Sequence, residues 1–498
     1  MFSLLPYPRQ TDPGSDAPRG EQRLKSRQVR ICLVADSGLS GDGVRHRCAD
    51  LVARGASVTV LDVAAVPGTA PSGVEVVPLR TLFEPQHDFT PLRSLCVYHW
   101  LAPPGLTPRV FDWVLFTDGF GTGYYSVTAK RLGLAFGQTL LAVLADTGHA
   151  RTLEHNQRFP QGRTDIERDF LERRTVRGAD ALITTGPAFV DWCRRAGWMV
   201  PDRCLRWPEL DLTPPAPPPP PPLGPPRPLV SVCLATYNRP GPVRKALDSL
   251  RRQTYPRIEV VLIDDGSTDP GMPACLAELA PDFQARGWTL MRQANAGPGA
   301  ARNAAVRRAR GDYVLFMDDD NLALAHEIER FVTAALASGA DVLTCIPGRH
   351  PETTVGPAGV AKLPTADAGY PVCAVDWTPV GASLALCAMI NCLGDGNALY
   401  KRSVFEALGG FPESRDSFED LRLLMLAVVR GYRLEVVPEI LFLYCRHQGS
   451  RSMGSNLFHC HVDVLHPLTE LIPPELWPLL LTAHGDWYRR HLSCSLRS

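Results

Sequence analysis

Tyr313-Val314-Leu315-Phe316-Met317-Asp318-Asp319-Asp320-Asn321 is an apolar run that ends in three consecutive carboxylates. The apolar part reads as a buried strand, and the carboxyl end of such a strand in an α/β sheet is where ligands sit. Adjacent anions repel, so three of them there are costly unless something neutralises them. A hard divalent cation carrying a diphosphate does this economically, because Mg²⁺ or Mn²⁺ takes one or two carboxylates together with phosphate oxygens. The competing reading is a solvated acidic turn.

Three upstream stretches favour the first reading. Ala235-Thr236-Tyr237-Asn238-Arg239 follows an apolar strand pattern at Leu229–Ala235, and an aromatic beside a hydroxyl suits base stacking and polar contact. Asp264-Asp265-Gly266-Ser267-Thr268-Asp269 closes the pattern Ile258–Asp264, where a carboxylate can accept from a base N–H or a ribose hydroxyl. Asn295 to Asn303 is a glycine-rich loop opening a helix, whose N–H groups and Arg302 suit a diphosphate.

The wider chain has 498 residues, 45% of them hydrophobic, enough for two or three domains. Lys plus Arg equals Asp plus Glu at 52 each, which argues against bulk nucleic-acid or polybasic membrane binding. The 14 cysteines form no C-x-x-C pair, so neither a zinc site nor a secreted disulfide framework is indicated. Residues 1–27 lack the apolar core of a signal peptide and read as a disordered segment. No run approaches the ~20 apolar residues of a membrane span. A cytoplasmic protein is expected, with peripheral membrane contact left open.

Residues 213–228, TPPAPPPPPPLGPPRP from Thr213 on, cannot enter a helix or sheet interior and read as a stiff polyproline linker. On its N-terminal side, residues 28–212 alternate strand patterns (Val29–Ala35, Ser57–Asp62, Leu95–His99, Trp113–Thr117, Thr139–Ala145, Ala181–Thr184) with helical ones. Residues 229–450 alternate in the same way until 348–393, where periodicity gives way to Gly, Pro and Thr. Helical patterns return at Ala398–Leu408 and Glu419–Gly431, and 451–498 reads as a helical tail. The fold class is α/β: two doubly wound, Rossmann-like domains joined by a Pro-rich linker.

Taken together and in this order, Thr236-Tyr237-Asn238, Asp264-Asp265-Gly266-Ser267-Thr268-Asp269, Gly299-Ala-Ala-Arg302-Asn303 and Phe316-Met-Asp-Asp-Asp320 resemble the inverting family 2 glycosyltransferases of GT-A fold. The resemblance covers about 229–450. It implies that Thr236, Tyr237, Asp265, Arg302, Asp318 and Asp319 bind a nucleotide diphosphate sugar, a UDP-sugar by default. Asp320, Asp318 and His447 would hold Mn²⁺ or Mg²⁺. Asn321 stands where many relatives carry another Asp. Of Glu419-Asp420, the resemblance makes Asp420 the catalytic base, taking the proton of an acceptor hydroxyl as its oxygen attacks the anomeric carbon. Glu419, Asp395 and Asn397 would face the glycan or hydroxyl acceptor. For Glu419-Asp420 the competing reading is a helix cap, for Asp395 a turn, and for His447 a structural histidine.

Phe116-Thr117-Asp118-Gly119-Phe120-Gly121-Thr122-Gly123-Tyr124-Tyr125 and Glu172–Thr185 resemble the N-terminal half of GT-B glycosyltransferases of the family 4 type. Gly119, Gly121 and Gly123 do not fit a dinucleotide loop, whose spacing is G-x-G-x-x-G. The second GT-B half is missing, so this domain is not read as an independent transferase. Acceptor binding, attachment to a partner, or descent from a larger enzyme remain open for it, with Asp118 and His149 as candidate lining residues. Two rivals stand beside a transferase of polysaccharide or cell-surface glycan synthesis. A sugar nucleotidyltransferase would carry a Gly-rich basic loop where this chain has Thr236-Tyr237-Asn238. A degenerate, carbohydrate-binding scaffold is disfavoured by Asp265, Asp318, Asp320 and Asp420.

Overall fold

The computed structural model describes residues 28–36, 42–64, 69–79, 90–145, 147–213, 227–353, 361–413, 418–445 and 457–485. The N-terminal segment 1–27, nearly all of the linker, and His447 lie outside the described residues.

Among the described residues, seven strands form the first sheet: β1 Arg30–Ala35, β2 Ser57–Asp62, β3 Val74–Pro78, β4 Trp113–Thr117, β5 Leu140–Leu144, β6 Ala181–Thr184 and β7 Cys204–Arg206. Their order is β3-β2-β1-β4-β5-β6-β7, and every pair is parallel. Runs such as Ile31-Cys32-Leu33-Val34 and Val114-Leu115-Phe116 are buried throughout, as strands covered on both faces must be. One expectation fails here. Leu95–His99 is not a strand but part of the helix Thr90–Leu101, almost all of which is buried. A helix apolar on every side has no amphipathic period, and its core then looks like a short strand.

The second sheet has, among the described residues, ten strands: β8 Val230–Thr236, β9 Ile258–Asp264, β10 Thr289–Arg292, β11 Tyr313–Asp318, β12 Leu322–Ala323, β13 Val342–Arg349, β14 Ala361–Pro364, β15 Val372–Val375, β16 Leu399–Lys401 and β17 Leu434–Tyr444. The order β10-β9-β8-β11-β16-β13-β15-β14 is parallel from β10 to β11, and β16 then runs antiparallel between β11 and β13. The stretch 348–393 therefore contributes β14, β15 and the turn of helix Leu384–Cys387 rather than loop alone. β8 and β11 are neighbours, with Ala235 opposite Asp318, so the loops that follow them lie side by side.

β17 is a further departure from the sequence reading. It pairs in parallel with β13 along its whole length, from Leu434 to Tyr444, and antiparallel with β12 near its end. The register jumps from Cys345 opposite Val437 to Ile346 opposite Ile440, which leaves Pro438 and Glu439 as a bulge. The first sheet's helices grip that bulge. Tyr98 Oη donates to Glu439 Oε1 at 2.8 Å, and Arg330 pairs with the same carboxylate from the other side. His99 Nε2 lies 3.0 Å from the Pro438 carbonyl; since a carbonyl only accepts, Nε2 carries the hydrogen. Burial lowers the His99 imidazole to about 4, so it is neutral.

The two sheets are packed against each other. One apolar cluster runs from Val34, Leu95, Tyr98 and Tyr125 across to Val380, Leu424, Val436 and Ile440. Among the described residues, no helix is long and apolar enough to cross a membrane.

Burial pushes the Glu439 carboxyl up, but Arg330 and Tyr98 outweigh it and hold the group below its ordinary value. The stability this pairing contributes is thus present above that ordinary value and is lost as pH falls through the folded one. Arg330→Ala leaves a buried carboxylate with one neutral donor, and should cost about 3 kcal/mol in urea unfolding at pH 7. The deficit should shrink near pH 4. Tyr98→Phe, which removes one hydrogen bond to the same anion, should cost about 1.5 kcal/mol.

Candidate functional site

The three carboxylates at the end of β11 are neutralised by two arginines. Arg302 Nη2 reaches Asp318 at 2.5 Å while its Nη1 reaches Glu419 at 2.6 Å. Arg239 Nη1 bridges Asp319 at 3.0 Å and Asp320 at 2.7 Å. Thr236 Oγ1 donates to the second oxygen of Asp319 at 2.6 Å. Burial still pushes the Asp319 carboxyl up to about 6, because Asp320 adds to the penalty that Arg239 relieves. Arg239 was quoted in the sequence motif but given no role. The signal for it is topological, since only the adjacency of β8 and β11 sets a loop cation beside the acidic run.

The arrangement modifies two expectations drawn from the sequence. The N–H groups of Ala296 and Gly297 do not stand free for a phosphate; they donate to Asp265 at 3.0 and 2.8 Å, with Gln293 Nε2 at 2.8 Å. Asp265 therefore braces the glycine-rich loop with both its oxygens. Arg302 likewise is engaged by Asp318 and Glu419 and is nearly buried. Burial works against its charge, yet Asp318, Glu419 and Asp420 hold its proton more firmly than usual. Tyr237, by contrast, is 44% exposed at the rim. Next to it Asn238 has a φ of 57° and fastens the neighbouring loop, its Oδ1 accepting from the N–H groups of Thr268 and Asp269 at 2.6 and 2.8 Å.

On the opposite side of Arg302 lies a second acidic group. Phe418 takes a left-handed φ of 69° immediately before the helix Glu419–Val429, a conformation that costs a bulky residue about 1 kcal/mol or more. The helix starts at Glu419 and Asp420, with Gly396 against the latter: a Cβ on Gly396 would sit 2.9 Å from Asp420 Oδ2. Asp395 and Asp420 each keep an edge open to solvent while most of their surroundings are protein. Burial, then the charge of Asp420, pushes Asp395 up to about 8. Burial, then Glu419, pushes Asp420 up to about 6, with Arg302 opposing.

Asn397 Nδ2 donates to Glu327 Oε1 at 2.5 Å beneath these groups. Glu327 is fully buried, and burial pushes it up to about 8. Sequence reasoning missed it, since a Glu opening a helix reads as a favourable cap charge.

Asp320 also lines a cavity of about 380 Å³, together with Gly241, Pro242, Lys245, Leu322, His350, Glu352 and Cys445. Among the described residues, no three His, Cys, Asp or Glu side chains converge as a ready-made metal cage. Hard oxygen donors on one flank of an open cavity fit a cation that arrives with phosphate oxygens and water, which needs only one or two carboxylates. Asp320 is such a donor, and Asp318 stands two residues before it at the end of β11.

Residues 231–365 match the family model described as glycosyl transferase family 2. An uncharacterized glycosyltransferase of Bacillus subtilis, EpsJ, is 33% identical over 120 residues, 24% of this chain and 33% of EpsJ. The succinoglycan biosynthesis protein ExoO of Rhizobium meliloti is 30% identical over 248 residues, 47% of this chain and 65% of ExoO. The solved S. aureus TarS 1-349 in complex with UDP-GlcNAc is 19% identical, with a TM-score of 0.40 over 54% of this chain and 73% of that chain. The chain thus spans about a third of the length of EpsJ and somewhat under two thirds of ExoO. Between residues 231 and 365 it carries a glycosyl transferase family 2 domain.

Proposed function

We propose that the chain is a metal-dependent, inverting glycosyltransferase that moves a sugar from a nucleotide diphosphate donor to a glycan or other hydroxyl acceptor. The observation that carries this reading is the placement of Asp420, raised towards neutrality, one arginine away from the carboxylate run of β11. A base that is ionised near neutral pH yet basic enough to take a hydroxyl proton is what attack on an anomeric carbon requires.

In this reading Tyr237 stacks on the base and Asp265 receives it at the rim of the loop it braces. Thr236 lines the base pocket beside Tyr237, Asp318 faces the ribose or sugar, and Asp319 supports Thr236 from beneath. Asp320, with Asp318, holds Mn²⁺ or Mg²⁺, which when bound supplies positive charge to the departing diphosphate. Arg302 keeps Asp318 and Glu419 in register and contributes its own charge to the same leaving group. Asp420 takes the acceptor proton on the face opposite the diphosphate, which inverts the anomeric carbon. Asp395, whose carboxyl burial and the charge of Asp420 push up, donates to a sugar oxygen when it carries the proton, and Asn397 supports this acceptor side from beneath. The likeness to ExoO supports polysaccharide synthesis as the setting. Among the described residues, Cys387 and Cys392 lie 3.4 Å apart as two thiols, which supports a reducing, cytoplasmic one.

Calorimetric titration of UDP should show binding that needs Mn²⁺ or Mg²⁺ and is lost in Asp320→Asn. Absence of binding by the wild type to UDP, GDP and the deoxythymidine diphosphate would sink the nucleotide-sugar reading in favour of a scaffold. Asp420→Asn should leave that binding intact and lower UDP release from UDP-glucose or UDP-N-acetylglucosamine, with methyl glycosides as acceptors, by about 10²–10⁴-fold. Because the acting form is the ionised one, wild-type turnover should fall below about pH 6 and rise above it. A profile flat through that region would reject Asp420 as the base.

A further inference from the structure

Gly119, Gly121 and Gly123, the run that fits no dinucleotide loop, has a packing role. A Cβ on Gly119 would collide with the Asp36 carboxylate, and one on Gly121, at φ +59°, with Leu171. One on Gly123 would stand 2.8 Å from the Phe116 ring and 2.9 Å from Thr175 Cγ2. The run therefore lets the helix Tyr124–Arg131 start flush against β4 and the helix Arg163–Gly178. Its first two residues are thereby fixed in direction. Tyr124 and Tyr125 are buried, with ring centroids 4.9 Å apart.

Both hydroxyls point across the seam into the second sheet's loop 376–394. Tyr125 Oη donates to the Pro379 carbonyl at 2.7 Å, and Tyr124 Oη donates to the Val380 carbonyl. From there the loop is knitted to the acceptor-side segment. The N–H groups of Val380 and Gly381 donate to the Cys392 carbonyl at 2.9 and 2.8 Å. Thr344 Oγ1 donates to the Leu393 carbonyl at 2.6 Å, and Asn391 Nδ2 to that of Gly394 at 2.8 Å. The next residues are Asp395, Gly396 against Asp420, and Asn397 on Glu327.

We propose that Tyr124 and Tyr125 are positioning residues for the transfer reaction: their hydroxyls anchor Pro379 and Val380 so that loop 376–394 delivers Asp395 and Asn397 beside Asp420. This rests on the transferase reading given above and assigns the first sheet's unit a part in it. That unit completes the acceptor side without touching the donor. Each hydroxyl holds a backbone carbonyl in a place where water cannot replace it, so losing one frees the loop rather than merely rehydrating it. A displacement of about 1 Å at a reacting group is enough to cost on the order of 10²-fold in rate.

The test uses the full-length protein with Tyr124→Phe, Tyr125→Phe, the double variant, and Tyr98→Phe as a control that weakens the same seam away from the loop. Amide hydrogen exchange at Val380 and Gly381 should quicken at least about tenfold in the double variant and stay unchanged in Tyr98→Phe. UDP affinity should hold within about twofold. With UDP-glucose or UDP-N-acetylglucosamine as donor, KM for the methyl glycoside should rise or kcat fall by about tenfold, with donor KM unmoved. Wild-type exchange in the double variant would overturn the proposal, as would freed amides with unaltered kinetics, or a Tyr98→Phe variant that behaves identically. A wild type that binds UDP but turns over no donor would overturn the transferase reading, and the positioning role with it. In that case quickened exchange would mark the two hydroxyls as a structural clamp only.

Discussion

The second sheet depends on how three neighbouring anions at the tip of β11 are kept from repelling one another. Two guanidinium groups do this, and neither comes from the same segment as the acids. Arg239 stands on the loop after β8, and Arg302 on the helix Pro298–Val306. Because Arg302 also holds Glu419, the acidic tip is tied to a helix more than a hundred residues further along the chain. Breaking a buried pair of this kind strands a charge and costs several kcal/mol, whereas forming it is close to neutral. The arginines therefore contribute more to a single geometry than to net stability. They set the carboxylate run, the strained Phe418 and the start of the helix Glu419–Val429 in fixed relation.

That balance shapes the electrostatics of the whole site. Asp319 is held by Thr236 and Arg239, so it braces the loops after β8 and β11 from beneath. Asp320 shares its arginine and opens on the cavity beside Lys245 and His350. Asp395 and Asp420 lie beyond direct hydrogen-bond contact with a guanidinium among the described pairs, and burial dominates their behaviour. Arg302 thus stands between Asp318 and Glu419, which it holds directly, and Asp395 and Asp420, whose carboxyls burial pushes up.

What could be read from the sequence follows from where the physics is local. Parallel strands such as Ile258–Asp264 and Ala181–Thr184 are short apolar runs bounded by turn residues, and they form where the pattern puts them. The acidic run and the helix at Glu419 were legible for the same reason. Leu95–His99 was not, because a helix buried on all sides loses its period. β17 was hidden by Pro438 and Glu439, a pair that argues against an interior strand until a bulge makes room for them. The partnerships of Arg239 with Asp319, Asp265 with Gly297, and Glu327 with Asn397 span 80, 32 and 70 residues. No window of sequence contains such pairs. The seam between the sheets was likewise invisible, since the proline-rich stretch that suggested separation says nothing about what its two flanks bury.

The bulge in β17 has a consequence for how the molecule comes apart. Glu439 is charged, almost wholly enclosed, and satisfied only when a phenol from one sheet and a guanidinium from the other are both in place. If either half frays while the other stays native, that anion loses one of its two partners and the apolar cluster crossing the seam is laid open to water. The two sheets thus stabilise each other through this seam even though the covalent path between them is a string of prolines. The architecture is modular in topology and coupled in stability.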